Sequence, residues 1–232
     1  MVEHRPNGNE RMRKFFMEYR VIDRNNWYRK EYFEHYLKEV PCTYSITTKL
    51  DITAIKKQRL KLYPTMLYCI TKIVNRYEQF RTAFRTDGTL VIYNEMLPCY
   101  TVFHQDTKTF SNIWTEFSDD YDTFCKRYNE DVLQFGTREA MMAKPNMPEN
   151  AFTVSMIPWT SFDGFNLNVK SFDYLIPIFT IGKYKEENEQ YTIPFSVQVH
   201  HAVCDGYHAG CFINDLQDAI SPVPLIDKEI KS

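Results

Sequence analysis

The sequence predicts an α+β fold, a mixed α/β sandwich in which one mixed β-sheet is covered on one face by helices. Segments with apolar residues at helical spacing are interspersed with β-branched segments of period two, which indicates both kinds of element. These elements do not follow a strict strand–helix–strand repeat, which favours a mixed sheet. The chain of 232 residues is long enough for one large domain and short for two full ones.

Helical spacing occurs in four segments, at about 27–40, 65–80, 118–135 and 206–220. The first follows Asn25 and Asn26, which are good N-cap residues, and stops at Pro41, so we expect a helix of about three turns. Pro64 suits the first turn of the second helix. Pro222 ends the last one.

Strand patterns occur in five segments, at about 44–53, 99–105, 152–158, 175–184 and 191–201. A polar turn (KEENEQ) joins the last two of them. A separate hairpin is predicted where Asp87-Gly88 divides two β-prone stretches, because this dipeptide suits a tight turn.

The composition is that of an ordinary globular protein and argues against several classes. The net charge of −2 and the lack of a basic stripe argue against a nucleic-acid partner. No apolar run approaches the ~20 residues of a membrane span, and the charged first residues lack the apolar region of a secretion signal. The six cysteines form no C-x-x-C pair, so we expect free thiols in the cytoplasm and no metal site. We expect one domain at 17–222, between an N-terminal tail at 1–16 and a C-terminal tail at 223–232.

The segment 191–201 contains the most informative histidine. Its odd positions are mainly apolar and its even positions mainly polar, so His201 continues the apolar face and His200 the polar one. An imidazole on an apolar face stays neutral and can accept a proton. The simpler interpretation of His201 is a core histidine bonded to a carbonyl, and Asp205, before a helix, could be only an N-cap. A metal site built from His200, His201 and His208 is disfavoured, because neighbouring strand residues face opposite ways.

The segment HHAVCDG at 200–206 carries the pattern H-x-x-x-D-G, which dihydrolipoamide acyltransferase cores and peptide-synthetase condensation domains share. A narrower resemblance is more specific. Five segments resemble the classical (type A) chloramphenicol acetyltransferases in the family's order: PCTYS, KLDIT, TVFHQ, PWTSFDGFNLN and SVQVHHAVCDGYH. The resemblance covers roughly residues 17–220.

This resemblance implies a CoA-dependent acyltransferase fold and an enzyme that acetylates the primary hydroxyl of chloramphenicol, which confers antibiotic resistance. It implies acetyl-CoA as co-substrate, no metal, and direct transfer without an acetyl-enzyme. It also implies a homotrimer with active sites at the subunit interfaces, where one subunit supplies the histidine and its neighbour much of the drug pocket.

The resemblance also implies roles for individual residues. His201 matches the general base, whose Nδ1–H the family bonds to the histidine's own carbonyl. Asp205 matches an aspartate that pairs with Arg29 and does not touch the base. Ser155 matches the donor to the oxyanion, and Thr180 a threonine that holds a water. Taken without the family, Ser155 and Thr180 read as ordinary strand residues.

Further matches concern the two ligands. The cofactor-binding matches are Lys61, Tyr63, Trp159, Lys183 and Tyr184. The drug-binding matches are Tyr36, Cys42, Thr101, Phe110, Phe165, Leu167 and Val169. The last three alternate, which predicts that they face one way on a strand. His35 departs from the family, which carries Phe before the pocket tyrosine. Surface lysines and plain core packing are the competing interpretations of these residues.

Two other functions stay open on the sequence. An acyltransferase of the same fold could act on a different small hydroxyl or amine. A binding protein could sequester an apolar ligand without chemistry, and it would not need His201.

Overall fold

The computed structural model describes residues 18–169 and 173–221. The two predicted tails, 1–16 and 223–232, lie outside the described residues.

In chain order, the strands are β1 (Tyr19–Val21), β2 (Thr43–Asp51), β3 (Thr82–Phe84), β4 (Leu90–Tyr93), β5 (Leu97–His104), β6 (Thr109–Trp114), β7 (Ala151–Met156), β8 (Ile178–Ile181), β9 (Lys185–Glu187) and β10 (Gln190–His200). The helices are α1 (Lys30–Glu34), α2 (Thr53–Lys57), α3 (Leu62–Val74), α4 (Glu78–Arg81), α5 (Tyr121–Phe135) and α6 (Gly206–Ile220). A π-helical turn, His35–Glu39, follows α1 directly.

The larger sheet has the strand order β2-β10-β8-β7-β5-β6, with β9 also paired to β10. The β5–β7 and β7–β8 pairs are parallel, whereas β10 is antiparallel to both β2 and β8. The predicted mixed sheet with helices is therefore confirmed. The long strand β10 pairs with β2 at one edge of the sheet and with β8 toward its centre.

A second, three-stranded sheet was not predicted; its order is β1-β4-β3. It contains the hairpin that Asp87-Gly88 indicated, and Gly88 has a φ of +81°, in the region that favours glycine. The Asp87 carboxylate accepts a hydrogen bond from the Thr89 amide and fixes the turn.

The helices cover the face of the larger sheet to which the odd-numbered residues of β10 point. Phe212 of α6 stacks on Phe80 and Phe179, with ring centroids 4.6 and 5.2 Å apart. Phe195 of β10 lies 5.8 Å from Phe179. Since all four rings are almost fully buried, the core lies between this face and the helices.

The first predicted helix is shorter than expected. Asn25 and Asn26 do not cap it, because the Asp23 carboxylate accepts from the Asn25 amide and the Asn26 side chain and makes a turn there. The helix begins at Lys30 and changes at His35 into a π-helical turn, in which the Val40 amide donates to the His35 carbonyl at 2.9 Å.

The helix predicted at 65–80 is divided into α3 and α4, and the strand predicted at 175–184 is shortened to β8. The other predicted elements occur with small shifts, and α6 has the predicted ends. Strands β1, β6 and β9 and helix α2 were not predicted. All six cysteines lie in the described part of the chain as free thiols, as expected. Within that part no helix has the length and apolar character needed to span a bilayer.

Candidate active site

His201 lies just after the end of β10, in a turn that leads to α6. Its amide donates to the Cys42 carbonyl at 3.1 Å, which ties the turn to the residue before β2. The imidazole stacks on Tyr36 with the ring centroids 3.9 Å apart and an interplanar angle of 5°. Tyr44 approaches the imidazole edge-on at 5.3 Å. Stacking on one side and an edge-on ring contact therefore limit the orientation of the imidazole.

Arg29 fixes the turn through four hydrogen bonds. Its guanidinium donates to both Asp205 carboxylate oxygens at 2.6 Å. It also donates to the Ala202 carbonyl at 2.9 Å and to the His201 carbonyl at 3.1 Å. Arg29 is only 4% exposed, so these hydrogen bonds hold the turn from its buried side. The predicted Arg29–Asp205 pair is confirmed.

The same pair sets the charge beside the histidine. Hydrogen bonds from Arg29 hold the pKa of the Asp205 carboxyl below its usual range, so the group is ionised at neutral pH. The Asp205 Oδ1 atom lies 3.3 Å from His201 Nδ1, at an angle that makes no hydrogen bond. Nδ1 is buried, while 30% of the His201 side chain stays exposed.

Two implications of the resemblance differ from this geometry. Nδ1 makes no hydrogen bond to the His201 carbonyl, because that oxygen faces the Arg29 guanidinium. Asp205 does approach the imidazole, because the turn that carries both residues is tight. A carboxylate at this distance favours a proton on Nδ1, which leaves Nε2 as the acceptor nitrogen.

The face assignment for the two histidines needs a correction. His200 lies on the even-numbered face, as predicted, but it is 1% exposed and its Nδ1 accepts from the Ala202 amide at 3.1 Å. The even positions Ser196 and Gln198 are also buried. Both faces of β10 are covered, so polar residues did not indicate solvent here. The more exposed histidine is His201, because it comes after the strand.

His208 supports the start of α6. Its Nδ1 accepts a hydrogen bond from the Asp205 amide at 3.1 Å, and burial lowers the pKa of this imidazole. Among the described residues, no group of three or more His, Cys, Asp or Glu side chains is arranged to hold a metal ion.

A cavity of about 470 Å³ lies among β5, β6, β7 and the helices α3 and α5. It is lined by Tyr63, Thr101, Val102, Phe103, Lys108, Phe110, Tyr128, Val132, Ser155, Met156, Ile157, Pro158 and Trp159. The lining is mostly aromatic and aliphatic, with Ser155 among its few hydroxyl groups. Such a cavity suits a flat apolar ligand beside a reacting polar group.

Five predicted site residues meet at this cavity: Ser155, Tyr63, Trp159, Thr101 and Phe110. The Tyr63 hydroxyl donates to the Val154 carbonyl at 3.2 Å, and Trp159 packs edge-on against Phe103 at 4.5 Å. Side chains matched to the cofactor and to the drug thus share one space, which is what direct transfer between two bound ligands requires.

The other cofactor matches lie around its edges. The Lys61 ammonium is 3.4 Å from Asn129, next to a lining residue of α5. The Lys183 amide donates to the Thr160 carbonyl at 2.8 Å, directly after Trp159. Lys56 lies over the Tyr184 ring at 4.3 Å. The Lys61 ammonium therefore places positive charge beside the cavity lining, where phosphate groups of a ligand would be attracted.

The drug matches fall into three places. Thr101 and Phe110 line the cavity, and Tyr36 and Cys42 contact His201 as described above. The segment with Phe165, Leu167 and Val169 is not a strand, because its backbone bonds to side chains rather than to a strand. His35, the departure from the family, pairs with Glu39 at 2.7 Å and is 44% exposed.

His201 and the cavity do not meet within one chain. Ser155 is opposite Thr180, and Thr180 is opposite Ser196 of β10. His201 follows Ser196 by five residues, which corresponds to roughly 15 Å along a strand. Thr180 is buried in the same row as Ser155. Within one chain, His201 and Ser155 are therefore too far apart to act on the same reacting group.

Sequence reasoning missed part of the lining. Lys108 and Tyr128 line the cavity, and so do Phe103, Val102 and Val132. Lys108 has a φ of +58° in the turn between β5 and β6, a conformation that the sequence did not signal. Helical spacing predicted α5, but it did not indicate that Tyr128 and Val132 face a ligand space.

Solved structures of similar shape define the class. A chloramphenicol acetyltransferase has a TM-score of 0.74 at 21% identity, covering 88% of this chain and 100% of that one. A dihydrolipoamide acetyltransferase from Azotobacter vinelandii has a TM-score of 0.63 at 14% identity, covering 82% and 85%. The fold is therefore that of the CoA-dependent acyltransferases.

Sequence comparison narrows the class to one family. Residues 17–217 match the model of the chloramphenicol acetyltransferase family. A chloramphenicol acetyltransferase from Campylobacter coli is 60% identical over 206 residues, 88% of this chain and all of the relative. One from Vibrio anguillarum is 58% identical over 205 residues, 88% of this chain and 95% of the relative. The chain belongs to the chloramphenicol acetyltransferase family, whose members are acyltransferase enzymes.

Proposed function

We propose that this protein transfers an acetyl group from acetyl-CoA directly to the primary hydroxyl of chloramphenicol and so inactivates the antibiotic. The observation that carries the proposal is the His201 corner, in which four hydrogen bonds from Arg29 and an ionised Asp205 orient one partly exposed imidazole. Such a rigid histidine is what a general base requires. The family membership supplies the acyl donor and acceptor.

His201 acts as the base in this proposal. With the proton held on Nδ1 beside Asp205, Nε2 accepts the proton of the drug's hydroxyl as its oxygen attacks the thioester carbonyl. The proton then passes to the departing thiolate, and the imidazole returns to its neutral form. Stacking on Tyr36 keeps the ring in place throughout.

Ser155 stabilises the negative charge that develops on the thioester oxygen. Ser155 lies on the cavity lining, at the β7 end of the row that Thr180 and Ser196 continue. Thr180, the next residue in that row, would hold a water beside it. A preorganised donor of this kind acts mainly on the transition state.

We propose a homotrimer in which His201 of one subunit closes the cavity of its neighbour. The separation of His201 from Ser155 within one chain supports this arrangement. So does the exposure of large apolar groups at the cavity, since Trp159 is 58% and Phe110 49% exposed. A closed ring of three identical interfaces would cover them and complete three sites.

Acetyl-CoA fits the residues at and around the cavity. Tyr63 and Trp159 offer apolar and aromatic contacts, and Lys61 and Lys183 offer charge for its phosphates. Tyr184 lies beside Lys183 at the same edge. The free thiols and the use of acetyl-CoA fit a cytoplasmic enzyme.

The test uses two inactive variants of the whole protein. His201→Ala should abolish acetylation of chloramphenicol, followed by thiol release from acetyl-CoA, while drug binding persists. Refolding His201→Ala together with Ser155→Ala should restore roughly a quarter of wild-type activity, because random mixing pairs an intact His201 with an intact Ser155 at that frequency.

Three outcomes would count against the proposal. Undiminished turnover by His201→Ala would show that His201 is not the general base. If the mixed variants are no more active than the separate variants, the active site is not shared between subunits. Wild-type protein that transfers acetyl groups to another small acceptor, but not to chloramphenicol, would remove the proposed substrate.

A further inference from the structure

A cluster of four polar side chains lies on the even-numbered face of β10 and on the strand beside it. Ser196 of β10 is directly opposite Thr47 of β2, and Gln198 is directly opposite Ser45. Opposite residues on paired strands project from the same face. We call these four residues the polar cluster. Ser196 and Gln198 are 2% and 5% exposed, so the β10 half of the cluster is covered, and Ser45 and Thr47 are partly buried.

The cover is the irregular segment 165–167. The Ser196 hydroxyl donates to the Phe165 carbonyl at 2.9 Å, and the Phe165 amide donates to the Thr47 hydroxyl at 3.2 Å. The Leu167 amide donates to Gln198 Oε1 at 2.7 Å, and Gln198 Nε2 donates to the Leu167 carbonyl at 2.8 Å. Side chains of the cluster thus bond both the amide and the carbonyl of Phe165 and of Leu167.

Gln198 carries the larger share of this attachment. Its amide both accepts from and donates to one residue, which reproduces the pairing that a neighbouring strand would give. Segment 165–167 forms no strand, so these side-chain bonds replace a ladder. An extended segment held by directional bonds has one register, whereas an apolar contact would let it slide.

The attachment is close to the proposed reaction centre. Ser196 is opposite Thr180, which is opposite Ser155. The Phe165 carbonyl is therefore anchored in the same row of the sheet as the proposed oxyanion donor. Leu167 stays 40% exposed although its main chain is fixed, so its side chain is available for contact.

We propose that Gln198 is a positioning residue for the acceptor: by pinning Leu167 and, through the cluster, Phe165, it sets the drug-binding wall without touching the drug. The inference rests on the proposed function, in which Phe165 and Leu167 line the drug site. It predicts that loss of Gln198 raises the KM for chloramphenicol but not the KM for acetyl-CoA.

The experiment is steady-state kinetics with both substrates on the full-length protein. Gln198→Met keeps the length of the side chain and removes both hydrogen bonds to Leu167, together with the one that Ser45 donates at 3.3 Å. We expect the KM for chloramphenicol to rise at least about tenfold, while the KM for acetyl-CoA and kcat each change less than about threefold. Ser196→Ala, which removes one bond to Phe165, should show the same split with a smaller rise.

The matched control is Thr71→Val. The Thr71 hydroxyl is also fully buried and donates to the Leu67 carbonyl at 2.7 Å, but it lies in α3, on the other face of the sheet. This variant should leave both KM values unchanged. Circular dichroism spectra check that each variant is folded, and if Gln198→Met is not folded, Ser196→Ala decides by the same criterion.

The outcomes separate the two proposals. Wild-type protein that does not acetylate chloramphenicol would overturn the proposed function. Active wild-type protein with an unchanged chloramphenicol KM in the Gln198 variant would overturn only the positioning role. An equal rise in both KM values would also overturn it, since a purely structural loss gives no preference for the acceptor.

Discussion

Asp205→Asn tests the corner that orients His201. The substitution preserves the shape of the side chain but removes the charge that Arg29 contacts. Arg29 is almost fully buried, so its guanidinium would lose its counter-ion while remaining inaccessible to water. Its bonds to the Ala202 and His201 carbonyls would remain, which makes the change specific to the carboxylate.

The magnitude follows from the burial of the two partners. Breaking a fully buried ion pair costs about 3–5 kcal/mol. The Asp205 side chain is 35% exposed, so screening by water reduces the expected loss to about 2 kcal/mol. For a domain of this size that loss lowers Tm by about 4–8 °C. Because Arg29 lowers the pKa of Asp205, the stabilisation is complete above the unfolded value of 3.8 and is lost as the pH falls through the lower folded value.

Urea unfolding at neutral pH measures the loss, and Glu78→Gln is the control. Glu78 pairs with Arg20 at 2.9 Å, but both side chains are more than half exposed, so this variant should lose less than about 1 kcal/mol. Turnover of Asp205→Asn should fall about 10–100-fold, because Nδ1 loses the neighbouring charge that favours its proton. A variant with wild-type stability and wild-type kcat would refute the reasoning.

Two further predictions concern other positions. Ser155→Ala should lower kcat about 10²–10³-fold with little change in either KM, and a change confined to KM would show that the hydroxyl binds the ground state instead. Burial raises the pKa of the Glu95 carboxyl from 4.5 to about 7, so the folded state binds this proton more tightly and stability falls as the pH rises across that window. Glu95→Gln cannot ionise and should therefore be about 1 kcal/mol more stable than wild type above pH 7 in urea unfolding, since water screens part of the effect at this partly buried group. Equal stability of the two proteins in mildly alkaline buffer would contradict the raised pKa.

Local signals predicted the elements whose ends depend on local chemistry. The helix at 206–220 has the predicted ends because a glycine after Asp205 and a proline two residues past Ile220 mark them. The hairpin at Gly88 required a residue with positive φ, and the sequence supplied it. His201 stood out because it follows a long strand pattern, and the structure places it at the end of that strand.

Features that depend on distant partners were not predictable. Arg29 is separated from Asp205 by 176 residues, so its role came only from the family. The polar face of β10 indicated solvent, yet a segment more than 25 residues upstream covers it. The alternation at 165–169 indicated a strand, but the main chain of this segment bonds to side chains and not to the backbone of a neighbouring strand. Part of the cavity lining was missed for the same reason, since it comes from separate elements.

The π-helical turn after α1 has a consequence for the evolution of this corner. A π-helical turn holds one residue more than the α-helical turn it replaces, and each residue rotates an α-helix by about 100°. The inserted residue therefore resets the angular phase between Arg29, before α1, and Tyr36, within the turn, so that both point toward the same loop. Deleting one residue between Arg29 and Tyr36 would keep both of these side chains and still turn the arginine and the tyrosine away from each other.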